Sequence, residues 1–278
     1  MINYMIKYCS FNIEDFVAID KLYENKHFDK FKENDIILIQ EWKEKEGNEF
    51  IVKLNNQEKR HYVCKSKDRV AIIFDENKFK FEKVYGIELL YEPPHILEKL
   101  YTKGRKKKNM MVIIEYNNFK LCIINFHLHA YNKNYHPGFH KKQLSKLLSD
   151  SLDKIMLKTE SFGIIMGGDT NYRGSSELLG ELIDNPITPY GELKDVCVRC
   201  KKIKTQSFSC IHEKGIIKKL SKRYTKKLKF LKDSRLDFIA TNLVTDPKKT
   251  KIIKLCSVSD HCAVFAKSQM KLNKFVSK

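Results

Sequence analysis

Apolar residues in this chain fall into short runs, most of them four to eight residues long, of the length that strands rather than helices use. They cover Tyr4–Phe11, Ile36–Gln40, Val70–Phe74, Met111–Tyr116, Leu121–Phe126, Gly163–Met166, Leu236–Thr241 and Ala263–Lys267. Between them the period lengthens. From about Phe139 to Lys158, residues Leu144, Leu147, Leu148, Leu152, Ile155 and Met156 form one apolar stripe of helical spacing. A second helix is predicted around Phe16, Ile19 and Tyr23. Asn117-Asn118 separates two strand-like runs and predicts a hairpin turn. Hairpins mixed with strand–helix units predict an α+β fold, a four-layer α/β/β/α sandwich of two packed mixed sheets with helices outside. Neither an internal repeat nor a Pro/Gly/Ser-rich linker divides the sequence, so one domain over 1–278 is expected.

Polar residues stand where several of these runs end. Ser10-Phe11-Asn12 closes the first, Gln40-Glu41-Trp42 the second and Gly168-Asp169-Thr170-Asn171 a third, while Ser259-Asp260-His261 precedes the last. Carboxylates and carboxamides converging from strand ends make a hard, oxygen-rich site suited to Mg²⁺ or Mn²⁺ rather than zinc. A histidine beside an aspartate adds a group for proton transfer or charge stabilisation. The pattern points to a metal-dependent phosphoesterase.

Charge narrows the partners. Lys and Arg number 53 against 34 Asp and Glu, a formal +19, which favours polyanions such as nucleic acid or inositol phosphates. With 42% hydrophobic residues the chain has ample material for a core, so the excess charge does not imply disorder. Two basic stretches stand out, Lys103–Lys108, which includes Lys106 and Lys107, and Lys214–Lys232, which has the spacing of a cationic amphipathic helix. No apolar run has the roughly 18 to 20 residues of a membrane span, and the N-terminus lacks the pattern of a secretory signal. Eight cysteines with no export signal are expected to be reduced, in the cytoplasm or nucleus. A monomer is expected. Cys197, Cys200, Cys210 and His212 raise a zinc reading, but the Cys-x-His spacing is unusual and unpaired thiols are preferred.

In order, SFNIEDF, IQEW, RVAIIFDENKF, INFHLHA, GGDTNYRG, SRLDFIA and VSDHCAVFA resemble the endonuclease/exonuclease/phosphatase superfamily, from Asn12 to Phe265. Each motif alone is weak; the ordered set is specific. The resemblance implies that Glu41 is the principal metal ligand with Asn12 beside it. It implies that Asp169 and Asn171 position and polarise the attacking water, and that His127 contacts the phosphate. His261 is similar to the family's essential histidine, Asp237 to the carboxylate orienting it, and Asp260 would complete the metal or water network. His129, on the same strand face as His127, is the competing choice for that role. Gly-Asp-Thr-Asn followed by Arg173 resembles the 5′-tyrosyl-DNA phosphodiesterases. Asn171-Tyr172-Arg173 also resembles inositol polyphosphate 5-phosphatases, although KKKNMM and DSRLD depart from them. Arg173, able to grip phosphate bidentately, Trp42, Lys106 and Lys107 are the substrate-contact candidates. Trp42 is either a core residue or a stacking platform. The expected activity is Mg²⁺-dependent phosphodiester hydrolysis on nucleic acid, DNA favoured, with inositol phosphates as the alternative substrate and a catalytically inactive nucleic-acid-binding protein as the third reading.

Overall fold

A computed structural model describes residues 4–24, 28–56, 59–89, 107–128, 139–155, 162–171, 187–188, 191–195, 237–245, 249–255, 258–259 and 261–272. Two mixed sheets pack face to face. The first has the order β13 (Leu243–Thr245), β15 (Cys262–Leu272), β1 (Met5–Asn12), β2 (Ile36–Gln40), β4 (Val70–Asp75), β3 (Tyr62–Lys67), with β14 (Lys251–Lys254) also on β15. The second runs β11 (Lys194–Asp195), β12 (Asp237–Thr241), β8 (Phe162–Asp169), β7 (Phe119–His127), β6 (Lys107–Tyr116), β5 (Lys80–Leu89). A two-stranded ribbon, β9 (Ile187–Thr188) with β10 (Gly191–Glu192), stands apart from both.

Alternation along the strands builds four layers. On the inner faces Ile6, Tyr8, Ile36, Leu38 and Ile72 of the first sheet meet Val112, Ile114, Leu121, Ile123, Ile165 and Ile239 of the second. Their neighbours in sequence point outward. Cys9, Phe11, Ile37, Ile39 and Ile73 pack beneath α1 (Ile19–Tyr23), α2 (Phe28–Lys32) and α3 (Glu44–Asn55) through Leu22, Phe31, Phe50 and Leu54. On the other side Ile113, Ile124, Ile164 and Phe238 receive Leu144 and Leu147 of α4 (Phe139–Asp153). Full burial of each large apolar side chain contributes on the order of 1.5–3 kcal/mol. Among the described residues no helix is long and apolar enough to cross a membrane.

Each sheet contains one parallel pair, β1 with β2 and β7 with β8, and helical chain joins its two strands. The carboxyl ends of all four strands lie at one end of the sandwich, where Asn12 meets Asp169 and Glu41 approaches His127, the position where open α/β sheets leave a crevice. Gly168 permits the closest approach there, since a Cβ on it would lie 1.9 Å from the Phe126 carbonyl oxygen. The hairpin at Asn117-Asn118 forms as expected, both residues having positive φ (48° and 63°) as a type I′ turn requires. The helix expected around Phe16 does not extend that far. Glu14–Phe16 is a 3₁₀ turn with left-handed φ at all three residues, and α1 begins only at Ile19.

Candidate active site

The inner-face rows that are apolar through the sandwich end in polar residues at this crevice. Asn12 and Gln40 are the last residues of β1 and β2, and Glu41 follows. Across the gap His127, Asp169 and Asp237 lie side by side in register on β7, β8 and β12. His261, just before β15, reaches over from the first sheet. Its Nδ1 lies 2.8 Å from Asp237 Oδ2, and its Nε2 lies 3.7 Å from Asp169 Oδ2. His127 Nε2 stands 3.7 Å from the same Asp169 oxygen and 3.8 Å from Glu41 Oε1.

Asn12 links the two carboxylates. Its Nδ2 donates to Asp169 Oδ2 at 2.9 Å and to Glu41 Oε1 at 3.3 Å, while its Oδ1 accepts the Glu14 N–H at 3.0 Å. In this arrangement Asn12 turns its N–H₂, not its oxygen, towards Glu41 and so positions carboxylates rather than adding an oxygen to them. Ser259 secures this corner, donating its hydroxyl to the Asn12 carbonyl at 2.8 Å and accepting the His261 N–H at 3.1 Å. Asn171 donates its backbone N–H to Asp169 Oδ1 at 2.6 Å and its side-chain N–H to the Leu128 carbonyl at 2.9 Å, which closes the loop after β8.

Beneath this layer a polar bridge joins the sheets. Asn125 of β7 donates to the carbonyls of Ile39 and Ala71 at 2.8 and 2.7 Å, on two adjacent strands of the opposite sheet. It accepts from Gln40 Nε2 at 2.7 Å, and Gln40 Nε2 also donates to Ser10 Oγ at 3.2 Å. On the other flank Asn109 Oδ1 accepts the His127 N–H at 2.9 Å.

Electrostatics in the crevice favour a cation. Burial, opposed by the Asn12 hydrogen bond and Arg69, raises the Glu41 carboxyl above its ordinary range. Burial also raises Asp169; His261 opposes this and the neighbouring Asp237 reinforces it. Two carboxyls held close in a desolvated cleft resist ionisation until positive charge arrives. Asp169, Asp237 and His261 also present ligand atoms within 4.8 Å of one another, but Asp237 and His261 are engaged with each other. The donor chemistry therefore fits a hard divalent cation at Glu41 and Asp169.

Arg69 was not anticipated as part of this site. Its guanidinium is half-exposed, lies 3.4 Å from Glu41 Oε2 and pairs with Asp15. Arg69 heads the RVAIIFD motif and Asp15 lies in SFNIEDF, so both stood inside motifs already singled out. Trp42 corrects an expectation: it is only 2% exposed, edge-on to Phe16, its ring so close to Gly47 that no side chain would fit there. It supports the turn at Glu41 (φ 60°) from behind and offers no stacking face. A left-handed non-glycine residue costs roughly 1–2 kcal/mol, and the Trp42 N–H bond to the Arg69 carbonyl at 3.0 Å helps to hold it. Lys107 begins β6, its side chain undescribed. His129, Asp260, Arg173, Lys106, the Lys214–Lys232 stretch and the Cys197, Cys200, Cys210 and His212 group lie outside the described residues.

No family model matches the sequence, and no curated protein matches it. Solved structures do match. Truncated Caenorhabditis elegans TDP2 aligns with a TM-score of 0.62 at 19% identity, over 96% of this chain and 98% of that one. D. rerio TDP2 complexed with single strand DNA product aligns with a TM-score of 0.61 at 15% identity, over 95% and 99%. An endonuclease/exonuclease/phosphatase from Bacteroides vulgatus gives 0.63 at 13% identity, over 97% and 100%. The fold is that of the endonuclease/exonuclease/phosphatase proteins. At these identities the likeness is one of architecture, and the expected two-sheet sandwich is borne out.

Proposed function

We propose that this protein is a divalent-cation-dependent phosphodiesterase acting on nucleic acid, with a DNA 5′ end as the favoured substrate. One observation carries the reading: Glu41, Asp169, His127 and the His261–Asp237 pair, drawn from both sheets, face one crevice, where burial raises the Glu41 and Asp169 carboxyls above their ordinary range. Glu41, with Asp169 adjacent and Asn12 bridging them, would hold Mg²⁺ or Mn²⁺; when bound, such an ion neutralises charge developing on the phosphoryl oxygens.

The side chains supply the rest. Asp169 accepts a proton from the attacking water, and Asn171 fixes the Asp169 carboxylate through its backbone N–H. Asp237 holds His261 by Nδ1, so that Nε2 faces the site as a donor to a phosphoryl oxygen. His127 adds a second donor on the opposite flank. Asp260 is assigned to the same network on its motif position, and Arg173, Lys106 and Lys107 to binding of the substrate's flanking phosphates.

Nucleic acid is favoured by the +19 charge, by the Gly-Asp-Thr-Asn motif and by the DNA product bound to the D. rerio protein of the same fold. The inositol phosphate reading keeps the support of Asn171-Tyr172-Arg173. We assign the protein to a reducing compartment, cytoplasm or nucleus, consistent with the free thiols of Cys9, Cys64 and Cys122, and treat it as a monomeric single domain over 1–278.

The deciding experiment supplies a 5′-phosphotyrosyl oligonucleotide, plasmid DNA, an abasic duplex and inositol trisphosphate, each with Mg²⁺ and with chelator. Cation-dependent cleavage of a DNA substrate is expected. Turnover of inositol phosphate alone would transfer the protein to the alternative reading. DNA binding without any turnover would make it a binding protein on an inactive scaffold.

A further inference from the structure

One flank of the sandwich differs from the rest. The two sheets end there in β3 and β5, both edge strands. Val63 packs into the inter-sheet core, so by alternation Lys65 and Lys67 on the same strand also face the gap. Across it β5 presents Phe81, stacked on Phe74 with an interplanar angle of 12° and 38% exposed, and Val84, 42% exposed. The Lys65 ammonium sits 4.4 Å from the Phe81 ring centre. The Lys67 ammonium lies over Gly86, where a Cβ would come within 2.1 Å of it. Among the described residues neither lysine forms an ion pair. The lip leads to the site, because the turn after β3 carries Arg69, whose guanidinium reaches Glu41.

We propose that this lip, from Arg69 through Lys67 and Lys65 to Phe81, is the track along which a single-stranded nucleic acid leaves the site. The proposal rests on the phosphodiesterase reading. Cations at alternate strand positions recur every ~6.6 Å, a separation comparable with that of successive phosphates in an extended single strand. The partly exposed Phe81 ring beside them becomes a face on which a base can stack once the Lys65 ammonium swings from over the ring to a phosphate. A duplex fits poorly, since its bases are already stacked and cannot reach Phe81 or Val84 inside the lip. Lysines turned inward on an edge strand also discourage edge-to-edge pairing. That role alone would leave strand binding untouched when they are removed.

The test measures affinity of the full chain for fluorescent oligodeoxynucleotides of two to eight nucleotides, without metal, across a salt series. Affinity of the unaltered protein should rise about 10-fold or more with length. Lys65→Ala/Lys67→Ala should lose that gain and lower the salt slope by about 1.4, two cations at ~0.7 each for a single strand. Phe81→Ala should weaken octamer binding ~5-fold or more. A control pair on the helical layer, Lys21→Ala/Lys53→Ala, should keep the length dependence. Lys65→Gln/Lys67→Gln serves if the alanine pair folds poorly. An unchanged length dependence in the β3 variants, an equal loss in the control pair, or an equal gain on duplex DNA would each overturn the proposal. Self-association of the β3 variants with intact oligonucleotide binding would assign the lysines to edge protection instead. Hydrolysis of bis(p-nitrophenyl) phosphate with Mg²⁺ by the unaltered protein tests the phosphodiesterase reading separately, so failure of one leaves the other distinguishable.

Discussion

Asn12 and Asp169 are separated by 157 positions in the chain, yet the Asn12 amide nitrogen lies 2.9 Å from the Asp169 carboxylate. Because the same nitrogen reaches Glu41, one neutral side chain spans the carboxylates contributed by the two sheets. Removing it in Asn12→Ala takes a donor from the buried Asp169 and the half-buried Glu41, a loss of roughly 1–3 kcal/mol. The thermal midpoint should fall by several degrees, and Asn12→Asp, which adds a third carboxylate, should fall further without cation and recover most of the loss with excess Mg²⁺. Scanning calorimetry with and without Mg²⁺ checks both, and an Asn12→Asp midpoint indifferent to Mg²⁺ would contradict the cation site.

The raised carboxyls give a pH dependence of definite sign. Glu41 and Asp169 keep protons in the folded chain at pH values where an unfolded carboxylate, with its ordinary pKa of about 4, has lost them. Their stabilising contribution is therefore complete below that ordinary value and is lost as pH rises through the raised folded values. Without cation, Glu41→Gln should melt higher than the unaltered protein at pH 7, and the difference should shrink as pH is lowered towards 4. With Mg²⁺ the order should reverse. Parallel melts over this pH range decide it; a variant that melts lower at every pH without cation would refute the assignment.

Asp237 holds His261 at 2.8 Å and is itself fully buried. Asp237→Asn retains shape but replaces the carboxylate that stabilises a protonated imidazole. Turnover of a chromogenic phosphodiester should drop about 10²- to 10⁴-fold while oligonucleotide affinity stays within a few-fold. Comparable losses in both would mean that Asp237 supports the fold rather than the chemistry.

Arg69 competes with any cation for Glu41. In Arg69→Ala, Mn²⁺ should bind several-fold more tightly, since a neighbouring positive charge is gone, whereas affinity for a single-stranded oligonucleotide should fall. Titration calorimetry for the metal and fluorescence anisotropy for the strand read these opposite effects. Weaker Mn²⁺ binding in this variant would show that Arg69 assists the cation instead of opposing it.

Much of this site was legible in the chain because strand alternation exposes exceptions. Asn12, Glu41, Asp169 and His261 stand where apolar runs stop or begin, and a polar residue at such an edge is informative. Asp237 was legible from its motif. The contribution of Arg69 was not, because an arginine opening a strand resembles any surface charge until the turn brings it to Glu41. Trp42 reads in the sequence as either a core residue or a stacking platform, since a single aromatic after a strand does not reveal what covers it. β5 is hard to read for a physical reason: KFEKVYGIEL belongs to an edge strand with five of its ten residues exposed and three half-buried, so its pattern is diluted. Asn125 carried a usable signal, an amide at an inward position of an otherwise apolar strand, whose partners only the fold supplies.

Asn125 has a mechanical consequence. Its two amide hydrogens bind carbonyls on neighbouring strands of the facing sheet, so sliding one sheet over the other would rupture both contacts together. Shear at this level would separate Glu41 from Asp169 while leaving every strand ladder whole. Heating or mild denaturant should therefore abolish divalent-ion capture before circular dichroism registers any loss of β-structure.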